Sequence, residues 1–355
     1  MNQNPLDTQD LRKRVASVLT AFVSSHRQDM AKISIDTLPL VDSLAELLEG
    51  GKRLRPAFAY WGYRASGGAD TAAVVSACAS LEFLQACALI HDDVMDASDT
   101  RRGKPAAHRQ FANLHAKNQW SGSSEAFGVG AAILIGDLAL SWADELLLTS
   151  GLSNDQVLRA KDIYDEMRTE LMAGQYLDLL EQVRGNVTVE RAATVIRFKS
   201  AKYTIERPLL MGAAIAGSSP EIADALSKYG LALGEAFQLR DDVLGVFGDQ
   251  ATTGKPTGDD LREGKQTMLI AYASGMATPQ QLAMLNSSLG DADLSVEKIA
   301  ELQQILITCG ALDLVEKQIV KQTAAATEAI ANIEIPADAR LALTELAIIA
   351  TKRES

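Results

Sequence analysis

The chain has 355 residues, 47% of them apolar but only 5% aromatic, with a net charge of −12. That is enough for a large core, built mainly from Ala, Leu, Ile and Val, as suits helices packed closely on helices. The acidic balance argues against nucleic-acid binding. Cys78, Cys87 and Cys309 are too few and too scattered for a disulfide framework or a zinc site. No signal-peptide layout is visible and no apolar run reads as long enough to span a bilayer, so a cytoplasmic location is expected.

Residues 1–10 are polar and are expected to be disordered. Amphipathic helices are expected over Leu11–Met30 and Leu38–Leu48, the second ended by Gly50 and Gly51. The next residues are Lys52-Arg53-Leu54-Arg55-Pro56. Lys52 and Arg55 are three apart and share a face. Cations at a helix start oppose the helix dipole, which hints at a bound anion. Helices follow over Ala57–Tyr63 and Thr71–Ile90, split by Ser66-Gly67-Gly68. The second runs into His91 and then Asp92-Asp93-Val94-Met95-Asp96, followed by Arg101 and Arg102.

Asp92 and Asp96, four apart, stack on one helix face and repel each other unless a cation lies nearby. Hard cations such as Mg²⁺ take carboxylate oxygens and commonly share themselves with a phosphate. Arginine forks suit phosphate oxygens. The simplest reading is a metal-bridged phosphate site at the mouth of an apolar cavity; the bland alternative is a solvated cluster at a helix end. His91 reads as a satisfied core histidine, and His108 and His115 as structural or exposed. Phe111–Phe127 reads as a mobile polar loop. Gly128–Leu148 and Val157–Val183 are helical, the first with a Gly/Ala start that implies close packing. Val189–Gly212 carries Lys199, Ser200 and Tyr203, with a kink or break expected at Pro208.

Ile222–Phe247 repeats the earlier layout: a buried helix ending in Asp241-Asp242, then a basic, Gly-rich loop. One acidic helix end is common; two, each followed by basic residues, are improbable as surface decoration. Residues 280–350 read as further helices around the core, broken at Ile335-Pro336. No βαβ alternation or glycine-rich nucleotide fingerprint is present.

These motifs, in order, resemble the trans-isoprenyl diphosphate synthases (polyprenyl synthetases). The match rests on GGKRLRP at 50–56, DDVMD at 92–96 with RRGKP at 101–105, GQYLD at 174–178, KSAKYT at 199–204, FQLRDD at 237–242 and GKPTGDDLREGKQT at 254–267. It covers roughly residues 45–350 and looks most like the actinobacterial geranylgeranyl diphosphate synthases. The resemblance implies an all-α, single-domain helical bundle around a central apolar cavity, spanning 1–355. It implies a Mg²⁺-dependent prenyltransferase, with three ions per site and Mn²⁺ as a substitute, that condenses isopentenyl diphosphate with allylic diphosphates, and a homodimer.

Residue by residue, the resemblance places isopentenyl diphosphate on Lys52, Arg55, Gln85 (commonly His in bacterial relatives) and Arg102. The allylic diphosphate falls to Arg101, Lys199, Lys255 and Lys265, and metal to Asp92, Asp96, Asp178 and Asp241. Ser200, Tyr203 and Gln238 would sit near the reacting carbons. Gly245 stands where relatives often carry a third acid; Asp249 is the nearby substitute to consider. The small residues Cys87 and Ala88 leave the product tunnel open where aromatics would stop growth at farnesyl. A geranylgeranyl (C20) product follows, with Leu84 or Trp142 as a deeper floor. The competing readings are a farnesyl or longer-chain synthase, a terpene cyclase, a non-catalytic subunit of a heteromeric synthase, and an acidic metal buffer.

Overall fold

The computed structural model describes residues 4–249 and 256–352. The architecture is all-α; among the described residues the strands are a two-residue antiparallel pair, β1 (Thr100–Arg101) and β2 (Lys104–Pro105). The chain divides into two compact units, Met1–Tyr60 with Gly68–Leu158, and Trp61–Gly67 with Arg159–Ser355.

In the first unit, α4 (Ala72–Met95) is the central element, packed by α6 (Ser124–Leu148), α1 (Leu11–Ile33) and α2 (Leu38–Leu48). The Thr71 hydroxyl caps α4 by accepting from the Val74 amide at 3.3 Å. Its side chains are buried almost all round, from Val74 to Ile90. Each fully buried Leu or Phe there contributes about 1.5–3 kcal/mol. The helix runs past Ile90 to Met95, so the aspartates lie in its last turn.

Three expectations need correction. By length and composition α4 and α6 are each apolar enough to cross a membrane; 72% of the most apolar window of α4, and 44% of that of α6, is buried inside the fold. The expected loop over Phe111–Phe127 is mostly helix: α5 covers Ala107–Lys117, and Ser123 caps α6, leaving 118–123 between them. Polar His, Gln and Asn residues hide a buried stripe of His108, Phe111, Ala112 and His115, and Phe127 and Trp120 pack on the His115 ring. His108 and His115 are buried (5% and 6% exposed), the structural one of the two readings the sequence left open. The expected disorder over 1–10 does not hold for its described part, because Leu6 is 2% exposed and its amide donates to Asn4 Oδ1 at 3.0 Å. The Gly/Ala start of α6 does serve close packing: a Cβ on Gly128 would lie 2.2 Å from the His108 carbonyl oxygen on α5.

The second unit is built on α7 (Asn154–Arg184) and α10 (Pro220–Phe247). A π-helical stretch, Ile196–Glu206, continues from α8 (Val189–Val195) and packs on α10. Pro208 falls in the first turn of α9 (Arg207–Ala216), where its missing N–H is no loss; the irregularity expected there takes the form of the preceding π-helix. Leu239, Val243 and Val246 of α10 join Met268, Leu269, Leu302 and Val315 in one apolar core. The break at Ile335-Pro336 separates the helices Ala311–Ala329 and Ala337–Thr351.

Candidate active site

The first acidic cluster sits at the C-terminal end of α4. Asp96 is the C-cap, and its amide donates to the Asp92 carbonyl at 2.8 Å, which sets the two carboxylates one turn apart. The helix dipole makes this end negative, so carboxylates here are unfavourable unless cations join them. One cation is Arg101. It forks onto the buried Asp93, with Nε donating to Oδ1 at 2.9 Å and Oδ2 at 3.2 Å, while its Nη2 lies 3.7 Å from Asp92. Asp93, which sequence reasoning passed over, is therefore the anchor of Arg101. The anchoring works because Arg102 (φ +54°) and Gly103 (φ +74°) turn the chain between β1 and β2 as a tight left-handed hairpin. Lys104 to Glu46 at 2.6 Å, and Gln110 donating to the Pro105 carbonyl at 3.0 Å, hold the hairpin to α2 and α5.

The basic loop before α3 (Leu54–Ala65) winds through positive φ at Gly50, Gly51 and Arg53. Arg53 is 6% exposed, ion-paired with the equally buried Glu82 of α4, and donates to the Leu48 carbonyl. Stranding one partner of such a buried pair costs about 3–5 kcal/mol, so Arg53 fixes the loop while Lys52 and Arg55 flank it. Arg102 donates to the carbonyls of Leu47 (2.8 Å) and Glu49 (3.3 Å) and lies 3.4 Å from where a Gly51 Cβ would be. Burial, with the charges of Arg53, Arg101 and Arg55, pulls its guanidinium below the ordinary value, against Glu82. Guanidinium groups gathered in this way have the chemistry to meet an anion. Gln85, half-buried, lies seven residues before Asp92, two turns down the same face.

Leu84 and Cys87 are fully buried and Ala88 is half-buried. Cys87 Sγ lies 3.7 Å from His91 Nδ1, and His91 Nε2 lies 3.2 Å from the Ile133 carbonyl of α6. The imidazole fills the space left by Gly136, whose Cβ would lie 2.1 Å from it, so His91 is satisfied as expected, but it is half-buried at the edge of the core and not inside it. Burial, with the Asp137 charge, pushes the Cys87 thiol up to about 12 and makes it inert. Helical spacing puts Leu84, Cys87 and His91 on one face of α4 and Gln85, Ala88 and Asp92 on another. Trp142 packs with Phe22, His26 and Phe83.

In the second unit, Lys199 Nζ lies 2.6 Å from Asp178 Oδ2. A predicted phosphate grip and a predicted metal ligand thus hold each other. Gly174 permits it: a Cβ there would lie 2.3 Å from the Lys199 amide nitrogen. Ser200 (8%) and Tyr203 (4%) are buried in the π-helical stretch. Its wider turn means that Lys199 and Tyr203 do not align as the α-helical spacing of four implied.

At the second acidic cluster Asp241 is exposed and Asp242 is buried, accepting from Gln238 Nε2 at 2.7 Å. Burial, then the charges of Asp260 and Asp241, raise the Asp242 carboxyl well above the usual range, against the Gln238 hydrogen bond and Lys265. The gap at Gly245 is filled from elsewhere, since a Cβ there would lie 2.0 Å from Asp260 Oδ2. Asp260, in the Gly-Asp-Asp of the following loop, thus brings a carboxylate to the position where relatives carry a third acid. Asp249 is exposed at the helix end. Lys265 lies 3.4 Å from Asp260 and 2.6 Å from Glu263. Lys255 lies outside the described residues.

Among the described residues no three ligating side chains form a ready-made cage. Mg²⁺ fits this pattern, because it uses one or two carboxylates and draws its remaining ligands from water and phosphate. Paired acids at the negative end of α4, with Arg101 beside them, are a donor set of that kind.

The fold and these motifs define an all-α enzyme that handles diphosphates with divalent metal. The family model for polyprenyl synthetases matches residues 39–306, and the chain belongs to that family of prenyl-transferring enzymes. The geranylgeranyl pyrophosphate synthase of Corynebacterium glutamicum, solved with isoprenyl diphosphate and magnesium, superposes with a TM-score of 0.94 at 43% identity, covering 97% of this chain and 99% of that one. The geranylfarnesyl diphosphate synthase of Aeropyrum pernix is 33% identical over 84% of this chain and 88% of its own. The octaprenyl diphosphate synthase of Escherichia coli K12 is 32% identical over 92% and 96%. These relatives differ in the chain length their names imply.

Proposed function

We propose that the chain condenses isopentenyl diphosphate with allylic diphosphates to make geranylgeranyl diphosphate (C20) as its main product. The observation that carries the reading is the arrangement around α4: carboxylates at its end, a crowded arginine site beside them, and small Ala88 one turn below Asp92 on the same face. Lys52, Arg55, Gln85 and Arg102 bind isopentenyl diphosphate. Asp92 and Asp96, and in the other unit Asp241 with Asp178 and Asp260 in support, would hold Mg²⁺, three ions in all on the family pattern. The assignment of both clusters to one allylic diphosphate, and of the whole chain to a single catalytic domain, is carried over from the order of motifs in the family.

Bound Mg²⁺ supplies Lewis-acid stabilisation of the leaving diphosphate. Arg101, Lys199, Lys265 and Lys255 add positive charge where negative charge develops on that diphosphate. The C1–O bond breaks to leave an allylic cation and free diphosphate. The isopentenyl double bond attacks the cation, and a proton passes from the resulting carbon skeleton to the departing diphosphate. Ser200, Tyr203 and Gln238 orient and shield the cation, and burial of Ser200 and Tyr203 keeps water from it. With a net charge of −12 the protein repels diphosphates overall, so these local cations are electrostatically necessary. A homodimer and a cytoplasmic location belong to the same reading; Ile133 (44% exposed) and Leu134 (59%) on α6 offer apolar surface for the dimer.

Ala88→Phe tests the tunnel. A ring one turn, about 6 Å, below Asp92 blocks growth past farnesyl, so the product should shift from C20 to C15 in chromatography of the dephosphorylated alcohols. An unchanged C20 product would show that the tunnel does not pass this face.

A further inference from the structure

Four residues of α7, Glu166, Glu170, Gly174 and Asp178, recur every four positions and face the π-helical stretch. Asp178 holds Lys199, and Glu170 holds both Lys202 and Arg207. Arg207 Nε donates to Glu170 Oε2 at 2.7 Å and its Nη2 to Oε1 at 2.9 Å, while Nη2 also reaches Glu166 Oε1 at 2.7 Å. The Glu170 (15% exposed), Lys202 (16%) and Arg207 (8%) side chains are largely withdrawn from water, so removing one partner strands a buried charge and costs more than breaking a surface bridge. The opposite side of the stretch is clamped by α10. A Cβ on Gly230 would lie 2.6 Å from Glu206 Cα, and one on Gly234 would lie 2.6 Å from Ala201 Cα. Glu206 itself accepts from Ser227 Oγ at 2.8 Å.

A π-helix is an uncommon conformation that survives where its surroundings impose it, often at functional sites. The glycine contacts fix where the backbone lies, but not how its residues are wound. The Glu170 carboxylate ties together Lys202 and Arg207, five residues apart across the end of the stretch, with Oε1 accepting from both and Oε2 from Arg207.

From this geometry we infer that Glu170 is a positioning residue: by clamping Lys202 and Arg207 it keeps 196–206 wound as a π-helix and so sets the direction of Lys199, Ser200 and Tyr203. The inference rests on the assignment of those three residues to the allylic substrate. Without the clamp the stretch relaxes towards ordinary α-helical winding, and Lys199 turns away from its register. The isopentenyl diphosphate residues, in the other unit, are untouched.

Glu170→Gln keeps the shape and removes the charge. In steady-state kinetics of the full chain with Mg²⁺, KM for farnesyl diphosphate should rise about tenfold and kcat should fall about tenfold, with KM for isopentenyl diphosphate within about twofold. Hydrogen exchange should show faster amide exchange over 196–206. If Glu170→Gln does not fold, Lys202→Met removes one arm of the clamp and should give the same split at smaller size. A folded variant with unchanged allylic KM and kcat, or one whose loss falls equally on both substrates, overturns the inference. Should the wild-type chain lack condensation activity, hydrogen exchange alone decides: unchanged protection over 196–206 in the variant overturns the clamp.

Discussion

Asp92→Asn should lower kcat by about 10³-fold while leaving the fold as stable as before or slightly more so. The two expectations come from the same placement. Asp92 lies in the last turn of α4, where its charge opposes the helix dipole, a penalty of about 0.3–1 kcal/mol that an amide removes while giving up the weak attraction of Arg101 3.7 Å away, so the two changes nearly offset. The buried Arg101–Asp93 fork is untouched, and the hairpin stays closed. Catalysis loses a hard anionic ligand that a neutral amide oxygen replaces poorly. Steady-state kinetics and a denaturant melt on the same preparation check both halves. Equal loss of activity and stability would make Asp92 a structural residue, and wild-type kcat would remove it from the site.

Gly174→Ala should destabilise the protein by about 3 kcal/mol or more and lower activity in the fraction that folds. On a free helix surface the same change stabilises by up to about 1 kcal/mol. The sign reverses because the added Cβ meets backbone, 2.3 Å from the Lys199 nitrogen and 2.5 Å from the Phe198 carbonyl carbon. Backbone wedged between α7 and α10 has nowhere to go, so α7 must move out and carry Asp178 away from Lys199. A urea melt of the variant measures this directly. A neutral or stabilising result would mean that α7 and the π-helical stretch are not in close contact.

The sequence legibly carries what is local and periodic. The apolar runs that become α4 and α10 are readable from spacing, as are the acid pairs at their ends. The order of motifs carries the family. What stays hidden depends on contacts between segments distant in sequence. Arg53 reads as one more cation among Lys52 and Arg55, yet burial against Glu82, 29 residues away, makes it the anchor of the loop. Asp93 looks interchangeable with Asp92 until the hairpin brings Arg101 onto it. Gly245 reads as a lost acid because the carboxylate that fills its place belongs to Asp260, across a turn. α5 was obscured because two of the four residues on its buried face, His108 and His115, score as polar when tertiary burial is unknown. The π-helix has no propensity signature; the glycines of α7 and α10 that pack against it show only once the helices are placed side by side. α4 and α6 passed as short apolar segments because Gly, Ser and a few charges interrupt them, though each holds a window apolar enough to span a bilayer.

The most direct measurement is condensation by the purified chain with Mg²⁺ and radiolabelled isopentenyl diphosphate, offered dimethylallyl, geranyl or farnesyl diphosphate in turn. A C20 alcohol after phosphatase treatment, abolished by a chelator and restored by Mg²⁺, is the predicted result. No condensation with any primer would contradict the catalytic reading and favour a non-catalytic subunit, while C15 alone, or C30 and longer, would keep the chemistry and contradict the open tunnel at Cys87 and Ala88.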